Sequence, residues 1–300
     1  MIEGGTHSAW VEELLVELGH EVIVANPRQL RLIFESDSKS DGFDAEQLAR
    51  LGRVDRRLLH PIQHRRRATR VDLAKARSRD ALVAMRTALI NHVRGTLKSF
   101  GGRLGSHKAE TFHAWARERL PEALRVALEP VLATLQSLQV QIRVLDAELA
   151  RLARDIYPQT TVLRQVDRVG LHTALRFVLT VEDPDRIRRS RDVAGYFGLR
   201  PRRRQSGDRD PELRITKAGD GEMRRLLVQC AQQILGPFGK DSDLRRWGLA
   251  LAARGGKAAK KKAVIAVARK LAVLLLALWR TGEIYEPLRN ADRRAQTVAA

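Results

Sequence analysis

The sequence predicts a mainly α protein with an incomplete α/β segment at its N terminus. Three patterns carry that prediction. Apolar residues recur at alternating steps of three and four between Leu124 and Ile156, one short buried strand stands alone at Glu21–Ala25, and glycines punctuate a helical second half.

The N-terminal segment reads as an amphipathic helix over Ser8–Leu18, stopped by Gly19, then a strand Glu21-Val22-Ile23-Val24-Ala25 ending at Asn26-Pro27. A strand buried on both faces needs neighbours on both sides. Nothing downstream supplies a convincing one, so the rest of the sheet is expected from a partner or is missing from the chain. A polar loop over Glu35–Gly42 leads into a helix beginning near Asp44. A long basic helix follows over His64–Phe100, closed by Gly101-Gly102, with Arg65, Arg66, Arg67, Arg70, Lys75, Arg77 and Arg79 crowding its start. Such a run is either a solvated face or a surface for a polyanion.

The seam Leu128, Val131, Leu135, Leu138, Ile142, Leu145, Leu149, Leu152, Ile156 has coiled-coil spacing. It can fold back on the preceding helix, but so narrow a stripe favours a second subunit, and a homo-oligomer, dimer or tetramer, is expected. From Thr161 to Trp279 a second helical domain is marked by turn glycines. Within it Val166-Asp167-Arg168-Val169-Gly170-Leu171 has the form of a helix-hairpin-helix turn, whose amides can hold a phosphate; a plain helix connection is the alternative. The polar tail after Glu286 is expected to fray.

Composition narrows the partners. Fifty-five Lys and Arg against 35 Asp and Glu give a net charge of +20, a surface that attracts polyanions. Charge alone also suits an anionic membrane surface or a ribosomal site, but aromatic residues are only 5%, too few for single-strand stacking platforms, so backbone and duplex contacts fit better. The lone Cys230 sits in a helical pattern as a small buried hydrophobe. The N terminus lacks a signal core and the apolar run Leu271–Trp279 is too short to span a bilayer, so a cytoplasmic protein without membrane contact is expected.

Two places offer chemistry. Asp41 and Asp44 are three residues apart at a helix mouth, a spacing that lets both carboxylates meet one divalent cation; Asp44-Ala45-Glu46-Gln47 equally fits a capping box. Glu3 is a third acid, before Gly4-Gly5. The densest feature is Gly198-Leu199-Arg200-Pro201-Arg202-Arg203-Arg204-Gln205-Ser206-Gly207, continuing through Arg214, Lys217 and Gly219 to Arg224. Its forked guanidiniums match phosphate geometry. Ser206 before a glycine is either an exposed nucleophile or an ordinary turn residue.

Taken in order, the strand ending Asn26-Pro27, Lys39-Ser40-Asp41-Gly42-Phe43-Asp44-Ala45, the coiled coil, Gly198-Leu199-Arg200-Pro201, Ser206-Gly207, Ile215-Thr216-Lys217-Ala218-Gly219 and Arg224-Arg225-Leu226-Leu227 resemble the bacterial insertion-sequence transposases that pair an acidic RuvC-like domain with a serine-bearing domain, some described as bridge-RNA-guided recombinases. The resemblance covers nearly the whole chain. It implies a partial RNase H-like acidic domain over 1–60, a basic helix and coiled-coil connector over 61–158, a serine transposase domain over 159–286 and a flexible tail over 287–300. It further implies Mg2+ at Glu3, Asp41 and Asp44, Ser206 as the nucleophile, and Arg202, Arg203, Arg204, Arg214, Lys217 and Arg224 as nucleic-acid contacts. DNA, a guide RNA and further subunits are the implied partners, with the acids of one subunit and the serine of another forming one site. The family's first Asp lies on a strand that would precede Met1, so an N-terminal truncation is expected. Asp167-Arg168-Val169-Gly170 keeps only the last glycine of the family's Pro-Gly-Ile-Gly turn. The competing expectations are a metal-dependent junction nuclease using the acids alone, and an inactive remnant that still binds DNA or RNA.

Overall fold

The computed structural model describes residues 1–30, 40–207, 209, 211 and 213–290. Its chain divides into two compact units, Met1–Arg67 and Ala68–Ala300. The fold is mainly α, as expected.

In the first unit, β1 (Ile2–Glu3) precedes α1 (Ser8–Glu17), β2 (Val24–Ala25) and α2 (Asp41–Val54). The sheet expectation is corrected here. β2 finds neighbours on both sides within its own chain: β1 pairs with it in parallel, Ile2 opposite Val24, and Val24 also bridges Ile62 in the antiparallel sense. The short strand expected to end at Glu3 before Gly4-Gly5 is present, and its pairing with β2 is not legible in the sequence because two residues carry no periodicity. Gly4 fits there because a Cβ would lie 3.1 Å from the Ala25 carbonyl oxygen and 2.9 Å from Ile62. A small core of Ala25, Leu30, Leu48 and Leu59 holds the unit, while α1 leaves Trp10 62% exposed. The loop expected at 35–42 lies largely outside the described residues.

The second unit begins with the long basic helix, α3 (Arg67–Ser99), then α4 (Phe112–Arg117) and α5 (Glu122–Asp155). α3 and α5 form an antiparallel hairpin: Lys75 meets Glu148 at 2.9 Å, Arg79 meets Asp146 at 2.8 Å, and Arg86 donates to Gln139 at 2.6 Å. The buried leucines of the coiled-coil seam therefore have neighbours within the chain, while Ile156 at its end is 55% exposed. Leu124, Leu128, Leu132 and Leu135 pack on Ile90, Val93, Leu97, Phe112 and Ala116, and Leu149 and Leu152 on Leu73 and Ala76. Arg151 and then Lys75 draw the Glu148 carboxyl down to about 2.

The C-terminal helices are α6 (Thr160–Leu163), α7 (Leu171–Val181), α8 (Val193–Tyr196), α9 (Gly221–Leu235), α10 (Asp243–Ala252) and α11 (Gly256–Thr281). α11 is the centre of their core: Val267, Leu271, Leu275 and Leu276 are buried against Phe177, Phe197, Leu227 and Ile234. The turn at 164–170 joins α6 to α7 with Arg168, not a glycine, in the left-handed region at φ 67°. Residues 287–290, expected to fray, are tied to α10 instead: Asp243 N–H donates to the Pro287 carbonyl, and Asn290 N–H to the Asp243 carboxylate. Residues 291–300 lie outside the described set.

Candidate nucleic-acid interface and catalytic site

The arginine-rich segment forms an exposed two-arm ribbon. Its base is closed by Lys217 N–H to the Gly198 carbonyl (3.1 Å), Thr216 N–H to Arg200 (2.8 Å) and Arg202 N–H to Arg214 (2.9 Å). At the tip Ser206 and Arg209 exchange both backbone hydrogen bonds, each at 3.1 Å, with Gly207 at φ 54° in the reversal. Ser206 therefore starts a tight turn and is exposed. Its hydroxyl has no hydrogen-bond partner among the described residues.

Side chains alternate faces along an extended arm. Arg203 and Gln205 share one, joined Nη2 to Oε1 at 2.6 Å. Arg214 and Lys217 are exposed on the return arm, Lys217 at a left-handed φ of 55°. Arg224 is different: it is half-buried and its Nη1 donates to the Phe197 carbonyl at 3.0 Å, fastening α9 to the ribbon base. Two glycines lock that base. A Cβ on Gly198 (φ 67°) would sit 2.1 Å from the Ala218 oxygen, and one on Gly219 (φ 90°) 1.9 Å from the Tyr196 oxygen.

The acids lie in the first unit. Glu3 ends β1 and is exposed; Asp41 and Asp44 occupy the first turn of α2. The capping-box expectation fails, because Ser40 is the N-cap and its Oγ accepts from Phe43 N–H at 3.2 Å. Asp44 is thereby released from capping. Its Oδ1 is buried with no hydrogen-bond partner among the described residues, a state that a nearby cation would satisfy. Among the described residues, no group of three or more acid, histidine or cysteine side chains is gathered for a metal ion. Asp44 alone thus carries the fit to a metal.

A cleft of about 1260 Å³ in the second unit was not foreseen; Arg77, Arg168, His172, Arg176, Asp220 and Arg225 are among its walls. At its floor His172 Nε2 lies 2.9 Å from Asp80 Oδ1, and Arg176, 1% exposed, donates Nη1 to Asp80 Oδ2 at 3.4 Å. The His172 contact is close but poorly aligned, an ion-pair approach more than a directed hydrogen bond. Burial alone would raise the Asp80 carboxyl, but His172, Arg176 and Arg79 outweigh it and hold the group below its ordinary value. The signal was present in the sequence: Leu175-Arg176-Phe177-Val178-Leu179 places one charge in an apolar run. His172 is thus a partner of Asp80, and Cys230 is buried as expected, its thiol pushed up by desolvation.

The chain is cationic and mainly helical, and presents an arginine-lined ribbon ending in a serine. Residues 160–242 match the family model described as Transposase IS116/IS110/IS902 family, and residues 1–101 match the DEDD transposase model of the IS110 group. The chain is 30% identical to the "probable family 20 transposase" of Pseudomonas aeruginosa over 94% of its own length and 84% of that protein's. It is 28% identical to the transposase for insertion sequence element IS1111A of Coxiella burnetii, over 89% of this chain and 74% of the relative. The chain belongs to the IS116/IS110/IS902 family of insertion-sequence transposases. The match of residues 1–101 points to a divalent-metal-dependent nuclease domain. No helix among the described residues is long and apolar enough to cross a membrane.

Proposed function

We propose that this transposase cuts and rejoins DNA strands in the cytoplasm with Ser206 as its nucleophile. The observation that supports this reading above the others is the position of Ser206 at the exposed tip of a ribbon whose same arm carries the exposed Arg202 and Arg204. The Ser206 oxygen attacks a backbone phosphorus, the bond from phosphorus to the leaving sugar oxygen breaks, and that oxygen takes up a proton. The product is a phosphoserine linkage and a free hydroxyl end. Attack by a second strand's hydroxyl reverses the step, so joining needs no nucleotide cofactor. Arg202, Arg204, Arg214 and Lys217 hold the phosphate oxygens as charge builds on them. Arg203 and Arg224 are further contacts to the nucleic acid in this reading.

The metal in this reading is Mg2+, with Asp44, Asp41 and Glu3 as its holders. When bound, it supplies positive charge to phosphate oxygens. The segments 1–60, 61–158, 159–286 and 287–300 then serve as acidic domain, connector, serine domain and tail, and a guide RNA and further copies of the chain complete the assembly.

The test is a denaturing gel of the protein with labelled supercoiled DNA. Ser206→Ala is expected to lower covalent protein–DNA adducts by on the order of 10³-fold or more. Undiminished adducts overturn the serine assignment. Cleavage lost in Asp44→Asn but retained in Ser206→Ala, with no adduct, identifies the metal-dependent nuclease that the orphaned Asp44 oxygen would otherwise favour.

A further inference from the structure

The turn between α10 and α11 carries charge that neither the ribbon nor the acids use. From Leu244 to Gly282 the sequence has no Asp or Glu, yet it holds Arg245, Arg246, Arg254, Lys257, Lys260, Lys261, Lys262, Arg269, Lys270 and Arg280. Some of these cations are occupied. Arg245 bonds to the Ile234 and Gly236 carbonyls, Arg246 to Asp241, Arg280 to the Pro184 and Ile187 carbonyls, and Lys270 lies over the Trp247 ring. Arg254, Lys257, Lys260 and Lys261 are exposed and have no acidic partner among the described residues.

Their spacing is informative. The three-and-four stripe that buries Val267, Ala268, Leu271 and Leu275 deeper in α11 continues toward its start as Lys257, Lys260 and Lys261. Residues at these intervals share one helix face. The face that serves the core along most of α11 therefore becomes a row of ammonium groups over the first two turns, where the helix emerges into solvent. Like charges on neighbouring turns repel, so the row costs stability unless an anion meets it.

We infer that this lysine row, with Arg254, is a second contact surface for the backbone of duplex DNA, separate from the serine ribbon. The inference rests on the DNA-transposase reading above and extends it. The ammonium groups of this row present point charges suited to phosphates, and contacts to phosphate carry no sequence information directly. No aromatic residue occurs between Leu249 and Leu278, so the surface offers no platform for unstacked bases.

The test measures affinity of the full chain for a duplex DNA across a salt series. Each phosphate contact contributes about 0.9 to the slope of log affinity against log salt. Lys257→Gln/Lys260→Gln/Lys261→Gln should lower that slope by roughly 2.7 and weaken binding about tenfold or more near 0.1 M salt. Glutamine keeps helix propensity, and each single variant should lower the slope by about 0.9, which serves should the triple variant fail to fold. Arg202→Gln/Arg203→Gln/Arg204→Gln runs in parallel. If only this ribbon variant loses slope, the inference is overturned and the transposase reading stands. Should neither variant change duplex binding, the DNA reading itself falls with it. A slope lost for single-stranded RNA but kept for duplex DNA also overturns the assignment.

Discussion

Two arginine-bearing regions of the helical unit differ in what their guanidiniums meet. In the cleft, Arg176 is buried, reaches Asp80, and shares that carboxylate with His172 and Arg79. On the ribbon, Arg202, Arg204 and Arg214 stand in solvent and have no acidic partner among the described residues. The same side chain thus serves as a structural tie in one place and as an open valence in the other. Pairing, more than count, separates charge that holds the fold from charge kept for a ligand.

The contrast can be broken most forcefully from the buried side. Removing one partner of a buried pair leaves an uncompensated charge and costs about 3–5 kcal/mol, whereas replacing the pair with apolar groups is often neutral. Asp80→Asn should therefore lower stability to denaturant by about 3–5 kcal/mol, and Asp80→Leu/Arg176→Met should recover most of that loss. A single variant within ~0.5 kcal/mol of wild type would place Arg176 in the same class as the ribbon arginines. The pH dependence has a fixed sign. The folded Asp80 carboxyl lies below its ordinary value, so its contribution is complete above the unfolded value, near 4, and is lost as pH falls through the folded one. The gap between wild type and Asp80→Asn should accordingly narrow with acidification.

An intermediate effect is expected at the ribbon base. Gly198 and Gly219 combine left-handed backbone with carbonyl oxygens where a Cβ would stand, while Gly207 at the tip has the same handedness and open space. Gly219→Ala should cost about 1–3 kcal/mol and speed hydrogen exchange at the Arg202, Thr216 and Lys217 amides, which close the base. Gly207→Ala should cost only about 1 kcal/mol and leave those amides protected. Equal exchange in the two variants would mean that the base does not hold the ribbon in place.

Legibility followed physical range. The helices at Ser8, Arg67 and Glu122 could be read because three-and-four periodicity is local, and Cys230 for the same reason. The pairing of Ile2–Glu3 with Val24–Ala25 could not, because two residues carry no pattern and register is set by partners distant in sequence. The destination of the coiled-coil seam was ambiguous for a related reason: an a/d stripe specifies an apolar neighbour without saying which chain supplies it, and here Ile90, Val93 and Phe112 do. Ser206 and its arginines were visible as residue types, but the turn that exposes Ser206 depends on cross-ribbon hydrogen bonds. Asp80 could not be linked to His172 and Arg176 from spacing alone, although a charge inside Leu175–Leu179 was the clue.

The smallest effect belongs where charges are paired yet fully wetted. Arg50 meets Glu46 one turn away on α2 at 2.6 Å, with the two side chains 67% and 56% exposed. Water already solvates both groups there, and holding two long side chains in one geometry offsets most of the attraction. Glu46→Gln should change stability by less than about 0.5 kcal/mol, and added salt should shrink even that. A loss near that of Asp80→Asn would show that closeness governs the worth of a pair in this protein. A negligible one would leave burial as the governing variable, the same variable that sets Arg176 apart from Arg204.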